Sequence, residues 1–448
     1  MGGKVINESV TLRDHEARPN YGATEHDDNS VFIEDPYINS AGVDPSENEQ
    51  KGSNWSAYIN IVCLIAGSGT LGIPYAIQQG GWLSVIILIL SAILSIYANI
   101  KLIECLYHNG TRRSSMSELA YYAFGKVGLY IISFFFNIVT LGCPVIYLIL
   151  CGENFHSLLS MVGIDIGIKS WVYICAVVMS VPFILMKTMK EATWLSIFGA
   201  LTTALVVLVV FFTSISEYPK NSQNQHDLLI IRDIPLALAT FSFSYGGNTV
   251  YPHVEASMAN PRDWPKILSL ATLTITIMYL SIGIPAYLTY GRTTLSPIYL
   301  NLPSGFATNM SVIMITAHIL LALPIYQTAF ALEVENYIGI NVQNLGKTRE
   351  FIYRVAFRLA TVLFTTYCAI NLPFFSDVMA LLGSMGNGVL LCITPIIFWI
   401  KLFGWNQLNG WKEKSLVIFT LVFSALGAVT GTLDALDALW KDIMREWP

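Results

Sequence analysis

Two short stretches of this sequence combine glycine, proline and small hydroxyl residues inside otherwise apolar segments. One reads GSGTLGIP, residues 67–74, and the other reads SYGGNTVYP, residues 244–252. Glycine relaxes the backbone and proline removes an N–H donor, so each stretch is predicted to interrupt a helix. An interrupted helix bares peptide N–H and C=O groups, and these are the groups that could do chemistry here.

The bared groups would have opposite polarity on the two sides of each interruption. The half-helix that begins there presents free N–H groups and the positive end of its dipole, which suits a carboxylate. The half-helix that ends there presents carbonyl oxygens and the negative end, which suits an ammonium group or a cation. One site with both polarities fits a zwitterion, so an α-amino acid is the expected ligand.

We therefore expect the ligand site to form where the two interruptions meet. Hydroxyl and amide side chains would add contacts to the bared backbone, and Tyr245 would form an aromatic wall. The candidate binding residues are Gly67, Ser68, Gly69, Thr70, Gly72, Ser244, Tyr245, Gly246, Gly247, Asn248 and Thr249. Close helix packing alone would explain the small residues, but not the combination of glycine and proline in both stretches.

The composition places these stretches in a bilayer. The chain has 448 residues, of which 54% are hydrophobic and only 12% are charged, and its mean hydropathy is +0.55. Windows free of charged side chains reach the roughly 20 residues that a helix needs to cross the hydrocarbon core. In hydrocarbon an unwound backbone is tolerated only where it faces a cavity, so the interruptions indicate a binding site inside the membrane.

These windows predict an all-α membrane protein with eleven transmembrane helices. The helices are expected to start near Ser56, Trp82, Val127, Ser170, Ala192, Arg232, Lys266, Phe306, Phe351, Phe374 and Ser415. The transmembrane domain, residues 55–448, then holds a first repeat at about 55–213, a second at about 232–402 and an eleventh helix at about 415–434. Matched interruptions in two such halves are typical of inverted-repeat transporters.

Residues 1–54 are predicted to form a disordered acidic tail. The first 55 residues hold eleven acidic and four basic side chains and few aromatic ones. If the tail is cytosolic, the cytosolic loops carry fifteen lysines and arginines, and the opposite side of the membrane carries six. This distribution follows the positive-inside rule, and an odd number of helices places the C-terminus in the lumen.

Ionisable residues near the apolar spans are the candidates for coupling to protons. The sequence suggests no acid deep inside a helix, which leaves His253, Glu255 and His318. Histidine titrates near the pH of acidic organelles. Two other readings stay open: Glu255 could simply reach the interface beside Arg262 and Lys266, and His318 could be a buried neutral histidine.

Other chemistries find little support in the sequence. The seven cysteines lie in or beside apolar segments, with no CxxC pair and no histidine cluster, so no disulfide framework, metal site or cofactor is expected. No nucleophile, base and orienting residue occur at a recognisable spacing, so an enzyme is not expected. No nucleic-acid partner is expected.

Two longer stretches resemble the first and sixth helices of the amino acid/auxin permease family. They are WSAYINIVCLIAGSGTLGIPYAIQQGGW, residues 55–82, and FSFSYGGNTVYPHVEASMANPRDWPK, residues 241–266. ECLYHNG, residues 104–110, and SELAYYAFGK, residues 117–126, are similar to the branch that holds the vacuolar amino-acid transporters and the vesicular GABA/glycine transporter. The likeness covers residues 55 to about 433.

The resemblance implies a LeuT-type 5+5 inverted repeat with interrupted first and sixth helices, in a vacuolar or other acidic endomembrane. It further implies proton-coupled transport of amino acids by alternating access, here expected as antiport into the acidic lumen. The small, polar second interruption favours a modest neutral side chain. Proton symport out of the lumen, sodium coupling and an amino-acid sensor that signals through its tail remain alternatives, and the tail is expected to bind trafficking or signalling proteins.

Overall fold

The computed structural model describes residues 53–185, 193–372 and 374–446. The predicted tail, up to residue 52, and two of the lysines counted for the orientation, Lys187 and Lys190, lie outside the described residues. The helices, labelled in chain order, are α1 Asn54–Ile65, α2 Ile73–Gly80, α3 Ser84–Leu106, α4 Met116–Ser160, α5 Ile168–Leu185, α6 Thr193–Asn221, α7 Ile234–Ser244, α8 Tyr251–Ala256, α9 Trp264–Tyr290, α10 Phe306–Tyr337, α11 Val342–Asn371, α12 Phe375–Leu381, α13 Thr394–Phe403 and α14 Gly410–Glu446.

Eight helices in the described ranges are long and apolar enough to cross a membrane, and a ninth span is gained if the bent pair at the first interruption counts as one. The chain is thus a multi-pass helical membrane protein, as predicted. Two of the eleven predicted spans do not pass this test. The halves α7 and α8 are only 11 and 6 residues long, and α11 carries charged residues along its first half.

The first interruption lies between α1 and α2. Helix α1 ends at Ile65, a single 3₁₀ turn spans Ser68–Gly72, and α2 follows directly. The two halves are bent by 46° relative to one another. Pro74 occupies the first turn of α2, where a missing N–H costs no helical hydrogen bond. The glycine and proline in this stretch therefore divide the helix as the sequence predicts.

The second interruption is wider. Helix α7 ends at Ser244, α8 begins at Tyr251, and the residues between them belong to neither helix. Gly247 has a φ of +152°, a conformation that residues with a side chain rarely adopt. Pro252 again lies in the first turn of the half-helix that follows. Both predicted interruptions are present, but only the first retains a helical turn.

A stretch of π-helix, which the sequence analysis did not predict, follows α12. It comprises Leu382–Asn387 and Val389–Ile393, and it leads directly into α13. Such wider turns release backbone carbonyls from the regular ladder and are frequent at functional sites. The span that contains it is the most deeply placed of the eight, with 72% of its apolar window buried, compared with 22% for α5 and α14. The π-helical segment therefore lies inside the bundle, beside both interruptions.

Candidate functional site

The two interruptions pack directly against each other. The Ser244 hydroxyl lies 3.2 Å from the carbonyl oxygen of Gly69 and 2.8 Å from that of Thr240. A Cβ atom added to Gly69 would lie 2.9 Å from the Ser244 Cα atom, closer than real side chains approach a backbone. Glycine at position 69 is therefore what lets the two broken helices touch.

One tyrosine side chain reaches the carbonyl ends of both preceding half-helices. The hydroxyl of Tyr279, on α9, lies 3.1 Å from the carbonyl oxygen of Ile65 and 2.6 Å from that of Ser244. On the first side, the Thr203 hydroxyl also donates to the Ala66 carbonyl at 2.8 Å. These carbonyls are the groups that the sequence assigned to an ammonium group. The Ile65 oxygen also accepts from the Gly67 amide at 2.9 Å, whereas the Ser244 oxygen has no second donor among the described residues and keeps a lone pair.

The opposite polarity is supplied by amide groups. The backbone N–H groups of Ser68, Gly69, Gly247, Asn248 and Thr249 donate to no acceptor among the described residues. Buried N–H groups are almost always paired in proteins, so several free ones within two short stretches are unusual. Together they form a cluster of donors at the point where the two interruptions meet.

A cavity lies beside these free amides, and residues of both interruptions line it. The interruptions contribute one side and five helical elements contribute the other. The lining residues are Gly67, Ser68, Gly69, Gly246, Gly247 and Thr249 from the interruptions, and Leu64, Ile65, Val139, Cys143, Tyr147, Phe243, Tyr326 and Asn387 from around them. Six of the eleven predicted binding residues thus border one chamber.

The aromatic wall is not where the sequence analysis placed it. The Tyr245 hydroxyl pairs with Thr276 on α9 at 3.0 Å, and its ring packs against Tyr279, so the side chain does not line the cavity. Tyr245 still follows the helical phase of α7 and therefore points at α9. The wall is formed instead by Tyr147 on α4 and Tyr326 on α10, whose rings meet edge to face 5.6 Å apart.

Three more predicted residues lie close to the cavity without lining it. Thr70 is fully buried, with an unpaired hydroxyl. Gly72 packs against Met379 on α12, whose Cε would lie 2.2 Å from an added Cβ. The Ser244 hydroxyl contacts the Gly69 carbonyl. These residues hold the interruptions together rather than face the open space.

Asn248, the fifth predicted residue outside the cavity lining, ties the second interruption to the π-helical segment. Its side-chain amide donates to the Leu390 carbonyl at 2.5 Å. On the other side of the same segment, Asn99 on α3 donates to the Leu391 carbonyl at 3.4 Å. The segment also contributes Asn387 to the cavity. Asn387 was not among the residues predicted from the sequence, although three glycines within residues 383–388 mark this stretch as unusual.

Glu255 has partners other than those suggested by the sequence. Its side chain is completely buried, and its carboxylate accepts hydrogen bonds from the Tyr107 hydroxyl and from Arg112, whose Nε and Nη2 lie 3.1 and 2.9 Å away. Arg112 also donates to the Pro252 carbonyl. The expectation that Glu255 lies beside Arg262 and Lys266 is wrong, because the loop after α3 folds over α8 and supplies its countercharge.

The two histidines differ sharply in position. His253 lies exposed on α8. His318 is 7% exposed on α10, and a Cβ added to Gly199 on α6 would lie 2.4 Å from its ring and 2.7 Å from the Cys63 sulfur on α1. No hydrogen bond to its imidazole is present among the described residues. His318 therefore lies between α1, α6 and α10, close to the first interruption.

The expectation that no acid lies inside a helix is also wrong. Helix α10 contains Glu335, which pairs with the fully buried Arg358 at 2.8 Å, and Glu333, which accepts hydrogen bonds from Ser133 and Ser117. Helix α4 contains Glu153, which has no ion pair or hydrogen bond within the described parts of the chain. Helix α4 has 45 residues and α10 has 32, so both are longer than a bilayer crossing requires. Each therefore contains an apolar window of sufficient length that leaves out its acidic residues.

The family of the chain follows from comparison with known proteins. A profile described as "Transmembrane amino acid transporter protein" matches residues 50–436. The chain belongs to this family. The resemblance to amino acid/auxin permeases is thereby confirmed, and the curated relatives of the chain are transporters rather than enzymes.

Two curated relatives illustrate the similarity. "Amino acid transporter AVT1J" of Arabidopsis thaliana is 28% identical over 386 residues, which cover 85% of this chain and 88% of the relative. The "Vesicular inhibitory amino acid transporter" of Xenopus tropicalis is 25% identical over 417 residues, which cover 88% of this chain and 78% of the relative.

Two solved structures share the fold. One is the substrate-bound, outward-open state of a Na⁺-coupled sialic acid symporter, with a TM-score of 0.52 and 13% identity, covering 86% of this chain and 90% of that one. The other is MhsT in complex with L-phenylalanine, with a TM-score of 0.53 and 11% identity, covering 88% and 98%. Both are transporters of the LeuT fold, and at these identities the likeness concerns the fold alone.

Proposed function

We propose that this member of the family is a secondary active transporter of small neutral amino acids in an acidic endomembrane, coupled to protons. The observation that carries the proposal is the cluster of free backbone N–H groups beside a cavity between two interrupted helices. A carboxylate bound there would satisfy donors that the protein leaves unpaired, and the ends of the following half-helices would add favourable dipoles.

Acceptors for an ammonium group lie beside the same chamber. The carbonyls of Ile65 and Ser244 lie at the ends of α1 and α7, where the helix dipole favours positive charge. Tyr279 can donate its single proton to only one of them at a time, and the Gly67 amide also donates to the Ile65 oxygen, so the Ser244 oxygen is the freer acceptor. A zwitterion placed across the chamber would thus meet the polarity it needs at each end.

The rest of the lining favours a modest neutral side chain. Val139, Cys143, Tyr147 and Tyr326 bring apolar surface and two phenol groups, and no charged residue borders the cavity. A long cationic side chain would find no countercharge among these described residues. This composition supports small neutral amino acids as the substrates.

The proposed topology has eleven spans arranged as two inverted repeats of five plus one. It counts α1–α2, α7–α8 and α11 as spans, although the halves of α7–α8 are short and α11 is charged. The start of α1 meets the start of α9, since Asn54 donates to Asp263 at 2.9 Å. We place this end of the bundle, with Arg112 and Glu255, in the cytosol, in keeping with the excess of basic residues there.

Proton coupling is proposed to act through His318. The buried imidazole has no partner among the described residues and lies next to an interrupted helix. Once protonated, it would donate hydrogen bonds to the backbone carbonyls around it. In an acidic, inside-positive lumen, each charge moved through 100 mV contributes about 2.3 kcal/mol, and each unit of pH difference about 1.4 kcal/mol. Exchange of luminal protons for cytosolic amino acid would then drive accumulation in the lumen.

Alternating access would follow from rocking of one group of helices against another. The moving group is proposed to comprise the interrupted helices with α3 and α9, and the other group α4, α5, α10 and α11. The Glu255–Arg112 pair ties α8 to the loop after α3, so the interrupted helix and α3 would move as one body. The interruptions would act as the hinges.

The decisive experiment is uptake by the purified full-length protein in liposomes, with each amino acid offered under a proton gradient of either sense. Accumulation of small neutral amino acids inside acidic vesicles would support antiport, and accumulation with the opposite gradient would indicate symport instead. A His318→Gln variant should keep exchange of labelled for unlabelled substrate but lose the response to the gradient. Uptake indifferent to every gradient would reject proton coupling, and absence of amino-acid uptake would reject the transport function.

A further inference from the structure

One polar side chain in the cavity wall has no partner. Asn387 lies in the π-helical segment and lines the cavity, and it is only 3% exposed. Its side-chain oxygen, Oδ1, is buried without a hydrogen bond among the described residues. Buried amide oxygens are nearly always paired in proteins, so a free one in the wall of a ligand chamber indicates that the ligand supplies the donor.

The surrounding residues make room for this amide. A Cβ atom at Gly246, in the second interruption, would lie 2.1 Å from Asn387 Nδ2, so only glycine lets the side chain occupy its position. Gly386 is pressed against Val139 on α4 in the same way, with an added Cβ 2.5 Å from the valine methyl. Two glycines in two elements thus allow one asparagine to reach the cavity.

Asn387 reaches the cavity from a different element than the groups proposed to hold the two charged ends of the substrate. The free amides and the Ile65 and Ser244 carbonyls belong to the interruptions, whereas Asn387 belongs to the π-helical segment and enters the lining beside Gly246. A buried acceptor discriminates strongly, because a ligand without a donor leaves it unpaired. The side chain of the substrate is the part that would face it.

We propose that Asn387 determines substrate specificity, by accepting a hydrogen bond from the side chain of the transported amino acid. The pocket would then prefer neutral amino acids that carry a hydroxyl or amide group over aliphatic ones of the same size. Threonine and valine form the sharpest test pair, since they differ by a hydroxyl in place of a methyl group. This inference rests on the proposed transport function and names the substrate class for the same site.

The test measures kcat/KM for threonine and valine with the full-length protein in liposomes. The variant Asn387→Leu replaces the amide by an apolar group of similar volume, and Asn387→Ser keeps a hydroxyl as a smaller acceptor. The matched control is Asn99→Leu, because Asn99 is also a buried asparagine that contacts the π-helical segment, at the Leu391 carbonyl, but it does not line the cavity.

We expect the wild type to favour threonine, and Asn387→Leu to lower the threonine-to-valine ratio by about tenfold or more, with valine uptake retained. Asn387→Ser should give an intermediate ratio, and Asn99→Leu should leave the ratio as in the wild type. An unchanged ratio in both Asn387 variants, or an equal loss of both substrates in both, overturns the inference while wild-type uptake still stands. If the wild type moves no amino acid, the transport function itself fails, and this inference fails with it.

Discussion

The two interruptions are stabilised in different ways. The first keeps a 3₁₀ turn, closed by a hydrogen bond from the Thr70 amide to the Gly67 carbonyl at 3.1 Å. The second leaves a longer unwound stretch and is tied to another helix through Asn248 and the π-helical segment. The first interruption is therefore largely stabilised by its own backbone, whereas the second depends on the span that begins with α12.

The largest effect is expected where the two interruptions touch. In Gly69→Ala the added Cβ would lie 2.9 Å from the Ser244 Cα, which must push the broken helices apart. A displacement of about 1 Å at a binding site can cost about 100-fold in activity, so uptake should fall by about that factor. The control is Gly305→Ala, since no atom lies within 4 Å of the added Cβ there. Similar uptake by the two variants would show that close contact between the interruptions is unnecessary.

The next prediction compares one side-chain tie at each interruption. Asn248→Ala removes the hydrogen bond to the Leu390 carbonyl, and Thr203→Val removes the one to the Ala66 carbonyl. Because the first interruption also has its 3₁₀ turn, Asn248→Ala should reduce uptake by about tenfold and Thr203→Val by much less. Initial rates in liposomes at equal protein content measure both. The reverse order would contradict the difference drawn between the two interruptions.

A smaller effect is expected from a residue that serves both interruptions equally. Tyr279→Phe removes the hydroxyl between the Ile65 and Ser244 carbonyls, which should destabilise the fold by about 1–2 kcal/mol. Tyr245→Phe is the matched control, because its hydroxyl pairs only with Thr276. Thermal unfolding in detergent, with and without substrate, measures both variants. Equal losses in the two would mean that the shared position of the Tyr279 hydroxyl has no special importance.

The smallest effect concerns the loop between α6 and α7, which contacts the end of α2. Arg292 holds Asp227 in this loop, with its Nε 2.7 Å from the carboxylate, and the Ile230 amide donates to the Gly80 carbonyl. Hydrogen bonds from Arg292 lower the pKa of the Asp227 carboxyl below its ordinary value of 3.8. A lowered pKa means that the contribution to stability is complete above the ordinary pKa and is lost only as pH falls through the lowered one.

The pair should therefore survive the acidity expected of a vacuolar lumen. The difference in melting temperature between wild type and Asp227→Asn should be small and constant from neutral pH to about pH 5, and should shrink only below about pH 4. Melting curves across that range test it. A difference that already disappears near pH 6 would show that the carboxyl is not protected by Arg292.

Local sequence was enough to predict both interruptions, because glycine and proline act through their own backbone. It also placed Gly67, Ser68 and Gly246 beside one cavity. The direction of a side chain at the end of a half-helix depends on its rotational position around the helix axis. The prediction that Tyr245 lines the cavity was therefore wrong. Asn387 could not be found in this way, because the π-helical turns that carry it into the cavity arise from packing inside the bundle.

The charged residues are the part of the structure that hydropathy along the sequence predicts least well. The first half of α11 is so polar that the helix does not stand out as a span, although its apolar second half was recognised. Conversely, Glu335 was overlooked and Arg358 was counted with the cytosolic loops, whereas the two form a buried ion pair between two helices. A hydropathy window averages over one segment of the chain. The free-energy cost of burying a charged side chain depends instead on whether a neighbouring helix supplies an opposite charge.

The Tyr279 hydroxyl carries one hydrogen but faces two carbonyl oxygens. It can satisfy the end of α1 or the end of α7, and never both at once. A positively charged guest that settles on one of these oxygens would turn the phenol toward the other. Arrival of a solute would thus be felt in both broken helices through the rotation of a single O–H bond, without any larger rearrangement.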